Sequence, residues 1–172
     1  MPPAARVLDI ACGHGRHMAW FTRLGCDVTG IDRSAEAVNA ARQHGTALQA
    51  DIENGLWPLM TADHPQQFDA VVVTNYLWRP LFPTMLQSLA PGGLLLYETF
   101  ASGNETVGKP SRPDFLLQPG ELLQLCQALQ IVAFEDGFLP NPDRFVQRIA
   151  AFKPATRRDA KQPPERHLLS LK

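Results

Sequence analysis

The chain has 172 residues, 45% of them apolar and 19% charged, with 16 Lys and Arg against 17 Asp and Glu for a formal net charge of -1. That length and composition suit one ordinary domain with a real core, and the near-zero balance excludes a broad electrostatic grip on nucleic acid. Three cysteines without tight spacing, no apolar run near the roughly 18 residues of a membrane span, and no signal-peptide core in the opening MPPAAR exclude a disulfide framework, a zinc site and membrane insertion, and leave the cytoplasm as the default setting.

In chain order, strands and helices alternate. Arg6–Ala11 is a short β-rich run that ends in the glycine-containing loop Cys12-Gly13-His14-Gly15. A helix follows, with Met18, Ala19, Phe21 and Leu24 as its apolar positions, and Gly25 stops it. Cys26–Asp32 reads as a second strand, and Ser34 caps a helix that runs from Ala35 to about His44. Thr46–Ala50 is a short third strand ending at Asp51, and residues 52–67 have little periodicity. Phe68–Thr74, with its run of valines, is the clearest strand and suits burial on both faces of a parallel sheet.

Pro80–Leu89 predicts a helix whose first turn tolerates its proline, and Pro91-Gly92-Gly93 predicts a turn. Leu94–Phe100 is the next strand, followed by a loop of about seventeen residues, a length often seen in lids and binding loops. Pro119–Leu129 reads as a helix. The runs Ile131–Phe138 and Phe145–Phe152 are separated by a turn too short for a crossover, so they should be antiparallel neighbours. The order predicts an α/β domain over residues 1–154: a doubly wound, mostly parallel sheet of about seven strands, closed by a C-terminal antiparallel hairpin. Residues 155–172 shift toward charge and proline and read as a mobile tail, with Leu168-Leu169-Ser170-Leu171 as a partner-docking alternative.

The strand, glycine loop, helix, second strand and Asp32 come in the order of a nucleotide-binding unit. Glycines at 13 and 15 let the backbone turn sharply and leave room for a ligand, and a carboxylate at Asp32 can accept from both hydroxyls of a ribose. The dinucleotide fingerprint wants a third small residue where this chain has the bulky Met18. Asp9, before the loop, is placed to hold a cationic group, which fits a cofactor with an amino acid and no pyrophosphate.

Asp9-Ile10-Ala11-Cys12-Gly13-His14-Gly15 resembles the first motif of the class I S-adenosylmethionine-dependent methyltransferases, with Ala11 where the first glycine is usual. The resemblance runs from Val7 to about Phe152 and implies a Rossmann-like fold, S-adenosylmethionine as cofactor and S-adenosylhomocysteine as product. Within the family the chain looks most like small tellurite-resistance-type bacterial enzymes. The resemblance puts the ribose on Asp32, Arg33 beside the adenine, the adenine amino group on Asp51 with Ile52 next to it, and His14 at the cofactor's border. Backbone around Ala11, Gly13 and Thr74 would hold the amino-acid end, and Thr74-Asn75-Tyr76-Leu77 would face the methyl group.

Methyl transfer from a cationic leaving group chiefly needs alignment. Asn75, Tyr76 and Glu98 are the catalytic candidates, and Trp78, Arg79, Lys109 and Arg112 the substrate-binding ones. Tyr76 and Trp78 read equally as core aromatics, and Glu98 equally as half of a structural ion pair. Arg79, Lys109 and Arg112 together would favour a carboxylate or phosphate on a small acceptor. His14 and His17 lack a third ligand nearby, so no metal is expected. Family members often carry helices before the first strand. Here that strand starts within the first ten residues, so the site is expected to be open, or covered by the long loop or a second copy in a homodimer. The other readings are a noncatalytic cofactor-binding subunit and a nicotinamide-dependent oxidoreductase.

Overall fold

A computed structural model describes residues 2 and 4–155. The predicted tail therefore lies outside the described residues, apart from Ala155. Seven strands form one sheet: β1 (Arg6–Ile10), β2 (Asp27–Asp32), β3 (Thr46–Gln49), β4 (Phe68–Thr74), β5 (Leu89–Phe100), β6 (Gln130–Leu139) and β7 (Arg144–Phe152). Their order is β3-β2-β1-β4-β5-β7-β6. The first five are parallel, whereas β7 runs antiparallel to both β5 and β6. The expected doubly wound sheet with its closing hairpin is thus the observed one. Order reverses between β1 and β4, and a crevice at the carboxyl ends of the strands follows from that reversal.

Four helices flank the sheet: α1 (Arg16–Arg23), α2 (Ala35–Ala41), α3 (Phe82–Gln87) and α4 (Glu121–Leu125). On one face α1 and α2 pack against β1, β2 and β3 over a core of Val7, Met18, Phe21, Val28 and Val38. On the other face Leu8, Ile10, Val71, Met85, Leu95 and Leu122 belong to the larger core. The strand pleat sends alternate residues to the two cores.

Met18, too bulky for a dinucleotide loop, is fully buried. Its place exists because β2 has a glycine opposite it. A Cβ on Gly30 would lie 2.4 Å from the Met18 sulfur and 2.8 Å from that of Cys12. The small residue that lets helix and strand approach has moved from α1 to β2.

Several boundaries differ from the sequence expectation. Leu24 is 51% exposed, because α1 ends at Arg23 and only Met18 and Phe21 point inward. The helix expected over 80–89 opens with a 3-10 turn at Arg79–Leu81 and stops at Gln87, where Ser88 bonds back to the Thr84 carbonyl. Lys153 reaches across from the end of β7 and donates to the Leu86 and Leu89 carbonyls, satisfying acceptors that the end of α3 leaves open. The expected turn at residues 91–93 is an irregularity within β5, which pairs with β4 at Leu89 and again from Leu94. The helix expected over 119–129 is one short turn. The fully buried Gln147 of β7 accepts from the Leu122 amide and donates to the Gln118 carbonyl, which fixes the start of that turn from outside.

The long loop has its own scaffold. Asn104, 1% exposed, donates to the Pro110 carbonyl and accepts from the Phe145 amide. Arg79 forks onto Glu121 at 2.6 and 2.9 Å and donates to the carbonyls of Asp114 and Leu116. An arginine so used suits its rigid planar donor set. Replacing Arg79 by Ala should cost about 1–3 kcal/mol by chemical denaturation, because Glu121 and two carbonyls lose their donor. Arg79→Lys should recover only part of it, since an ammonium cannot fork; a cost under about 0.5 kcal/mol would reduce the contact to an ordinary surface pair.

Asp9 lies in β1 beneath α1, 1% exposed, with neither carboxylate oxygen hydrogen-bonded. Burial pushes its carboxyl up to about 7, and the Met18 amide and Arg16 charge offset this only in part. The folded chain therefore holds this proton more tightly than the unfolded chain. Without ligand, stability should fall as pH rises from about 4 to about 7. Asp9→Asn should remove that slope and raise the unfolding free energy at about pH 8 by an amount on the order of 2–4 kcal/mol. Urea titrations of both proteins at low and high pH check this; parallel curves would refute it.

Candidate active site

The carboxyl ends of β1, β2, β3, β4 and β5 surround a cleft of about 360 Å³. Its inner wall is Ala11 and Ile31, followed by Asp32 and Arg33 at the tip of β2. Ala50, Asp51, Ile52 and Glu53 continue the wall after β3. Asn75, Tyr76 and Leu77 follow β4, and Thr99 and Phe100 end β5. Pro110 and Phe115 of the long loop complete the rim, so this loop does reach the cleft.

The turn after β1 is built from positive φ angles at Ala11 (54°), Gly13 (54°) and Gly15 (80°). Ala11 thus holds a conformation that glycine adopts more easily. A Cβ added at Gly13 would meet nothing within 4 Å, so its backbone faces open space. The Gly13 amide donates to one Asp32 oxygen at 2.9 Å, and the Ser34 amide donates to the other at 2.9 Å. Each oxygen keeps a further acceptor position.

Asp51 is exposed and accepts from the Glu53 and Asn54 amides and the Asn54 side chain at 3.0–3.2 Å. The Asn54 side chain and these amides hold its carboxyl below the usual range, so it is an acceptor at neutral pH. The Tyr76 hydroxyl is buried with no hydrogen-bond partner. Burial and the neighbouring Glu53 carboxylate raise it well above the ordinary phenol range, so it remains a donor.

The structure divides the sequence candidates into groups. Ala11, Asp32, Arg33, Asp51, Ile52, Asn75 and Tyr76 share the cleft wall. Asp9 is buried below the loop, Gly15 is buried, and His14 is exposed beside it. Thr74 and Glu98 line a second cleft of about 280 Å³ on the face of the sheet that carries α1. There the Thr74 hydroxyl lies 3.4 Å from His17 Nδ1, and Glu98 lies 3.5 Å from the Arg148 guanidinium.

The cationic substrate set does not assemble. The Arg79 guanidinium is committed to Glu121 and the loop backbone. Arg112 pairs with Asp114 in solvent and stacks on Phe115 at 5.2 Å. Lys109 is exposed, and neither it nor Arg112 lines either cleft. Trp78 is half-buried against the larger core. Sequence reasoning missed Glu53, Thr99, Phe100, Pro110 and Phe115. An aromatic stranded in a polar loop was the only signal for Phe115, and it needed the loop's path to be read.

Among the described residues no group of three or more His, Cys, Asp or Glu is placed to hold a metal ion, and no helix is long and apolar enough to cross a membrane.

Comparison with known proteins bears on this arrangement. The methyltransferase domain family matches residues 7–93. A ubiquinone biosynthesis O-methyltransferase of Xanthomonas campestris pv. campestris is 36% identical over 104 residues, covering 56% of this chain and 44% of the relative. The chain therefore spans under half the length of that relative. Among solved structures, TehB from Haemophilus influenzae superposes with a TM-score of 0.72 at 19% identity, over 89% of this chain and 58% of the other. A SAM-dependent methyltransferase from Methanosarcina mazei gives 0.68 at 19% identity, over 91% of this chain and 95% of the other. Those two likenesses are of fold. The family match takes in the glycine loop, Asp32, Asp51 and the end of β4, and with it the chain belongs to the class I S-adenosylmethionine-dependent methyltransferases.

Proposed function

We propose that this chain binds S-adenosylmethionine in the first cleft and transfers its methyl group to a small-molecule acceptor. The observation that carries the reading is Asp32, whose two oxygens are each held by one backbone amide at the floor of an open cleft. A diol matches the acceptor positions left on those oxygens. Asp51, held ionised after β3, suits an adenine amino group, with Arg33 and Ile52 as the flanking surfaces. The open backbone at Gly13 suits an amino-acid group lying close to the loop. The orphaned Tyr76 hydroxyl offers one further donor.

The cofactor, when bound, supplies a methyl group on a positively charged sulfur. The chain's own residues bind and orient. The glycine loop and Asp32 fix one end, Asp51 fixes the other, and Phe115 and Pro110 narrow the mouth and shed water from it. The methyltransferase relatives and the absence of a broad positive charge favour a small acceptor over nucleic acid. The printed activity of the Xanthomonas relative favours an oxygen as the methylated atom. A homodimer remains part of the proposal only as a second way to cover the site.

Calorimetric titration with S-adenosylhomocysteine tests the reading. Binding in the micromolar range is expected, weakened at least about tenfold in Asp32→Asn, which keeps the side chain's size. Tyr76→Phe should weaken it severalfold while leaving the unfolding free energy equal or raised, because removing a buried hydroxyl without a hydrogen-bond partner relieves its desolvation cost. Tight NADH binding, with none of S-adenosylhomocysteine, would overturn the assignment.

A further inference from the structure

The Phe115 ring stands at the rim of the first cleft and is 40% exposed, although Leu116 and Leu117 directly after it are buried. A loose loop does not explain this. The Arg79 guanidinium donates to the Asp114 and Leu116 carbonyls, one on each side of Phe115. The same guanidinium forks onto Glu121, which also accepts from the Gln118 amide. Phe115 ends a 3-10 turn over Pro113–Phe115, and its own amide donates to the Arg112 carbonyl. The Leu117 amide donates to the Phe100 carbonyl, which returns the loop to the end of β5. Pro110, the other loop residue at the rim, is held through its carbonyl by the buried Asn104. An exposed aromatic ring forgoes burial, and here the backbone on both sides is fixed so that it does.

Phe115 and Pro110 belong to one side of the cleft. Strands cross its floor in the order β3-β2-β1-β4-β5, spaced about 4.8 Å apart. A cofactor held by Asp51, Asp32 and the glycine loop occupies the side of β3, β2 and β1. The side of β4 and β5, with Leu77, Thr99 and Phe100, is the part that it leaves. Both sides line one cleft, so an acceptor on the second side shares its space with the cofactor. Leu77, Thr99, Phe100, Pro110 and Phe115 carry no charge. Elsewhere in the cleft Asp32, Asp51 and Glu53 stand against Arg33 alone, a balance that opposes an anion. Arg112, with its guanidinium 5.2 Å from the Phe115 ring centroid, is paired with Asp114 and does not line the cleft.

We propose that Phe115 is the residue that selects the acceptor, by packing against an uncharged apolar part of it at the β5 side of the first cleft, and that Arg79 is the positioning residue that holds the ring there. The inference rests on the same cleft holding the cofactor. It reverses the anion preference expected from Arg79, Lys109 and Arg112. Arg79 touches neither ligand. It acts through the two carbonyls that flank Phe115.

The test uses the full chain with labelled Leu and Thr methyl groups, saturated with S-adenosylhomocysteine. Two probes share one ring: para-cresol is neutral and para-hydroxybenzoate anionic. The cresol should shift the Leu77 and Thr99 methyl resonances with an affinity on the order of millimolar, and the benzoate should bind at least about tenfold more weakly. Phe115→Ala should weaken cresol at least about fivefold while S-adenosylhomocysteine affinity stays within about twofold. Arg79→Lys should weaken cresol about two- to fivefold, again without moving S-adenosylhomocysteine. Added to Phe115→Ala, it should weaken cresol by less than about twofold more, because the ring it positions is already gone. Cresol shifts confined to Leu96 and other methyls outside the first cleft, benzoate binding as tightly as cresol, unchanged cresol affinity in Phe115→Ala, additive losses in the double variant, or no cresol binding would each overturn the proposal. Failure of S-adenosylhomocysteine itself to bind would instead overturn the cofactor reading on which it rests.

Discussion

The Asp32 carboxylate ties three pieces of chain to one point. It ends β2, accepts from the Gly13 amide of the loop after β1, and accepts from the Ser34 amide that leads into α2. A carboxylate held by backbone amides is a charge-assisted contact, and it sets the loop's position relative to both strands. The positive φ values at Ala11, Gly13 and Gly15 are the conformational cost of that arrangement. Behind it, Gly30 lets Met18 and α1 lie directly on the sheet. The cleft's shape follows from these contacts rather than from any residue that faces a ligand.

The same packing seals Asp9 away from water and from hydrogen-bond partners. An unpartnered carboxyl in a core is costly unless it stays neutral, which is why its pKa climbs toward 7. This acid supports the loop from below, and Asp32 presents the carboxylate that the cleft exposes. Two acids in adjacent parallel strands thus meet opposite environments.

The two faces of the sheet are unequal. On one, α3, α4 and the anchored long loop cover the strands, and Arg79 with Glu121 joins the start of α3 to the start of α4. On the other, α1 and α2 cover β1 to β3, whereas the β5-β7-β6 pleat keeps partly buried apolar residues beside a charged row. Glu98 belongs to this open half. There it lies 3.5 Å from the Arg148 guanidinium, which is the ion pair that the sequence left as one of its two readings.

Alternation of β-rich and helical runs, the glycine loop and the acid after the second strand were enough to determine the α/β class, the closing hairpin and the family. These are local signals: periodicity and turn residues act within about ten residues, the glycine loop and Asp32 are 19 residues apart, and the crevice follows from strand order. Asp32, Asp51, Asn75 and Tyr76 were legible as cleft residues because each sits at or just after the carboxyl end of a strand. The side chains' final partners were not. Arg79 looked like a free cation until α4 brought Glu121 beside it from 42 positions away. The end of α3 at Gln87 and the start of α4 depended on Lys153 and Gln147, contacts that local propensity does not contain. Only the tertiary structure decided that Glu98, Arg148 and Glu135 form one row and that Thr74 and Asn75 open on different clefts. The chain leaves β4 at Thr74 and turns at Asn75 with a positive φ of 55°, and residues far apart in the chain become neighbours only when strands pair in register.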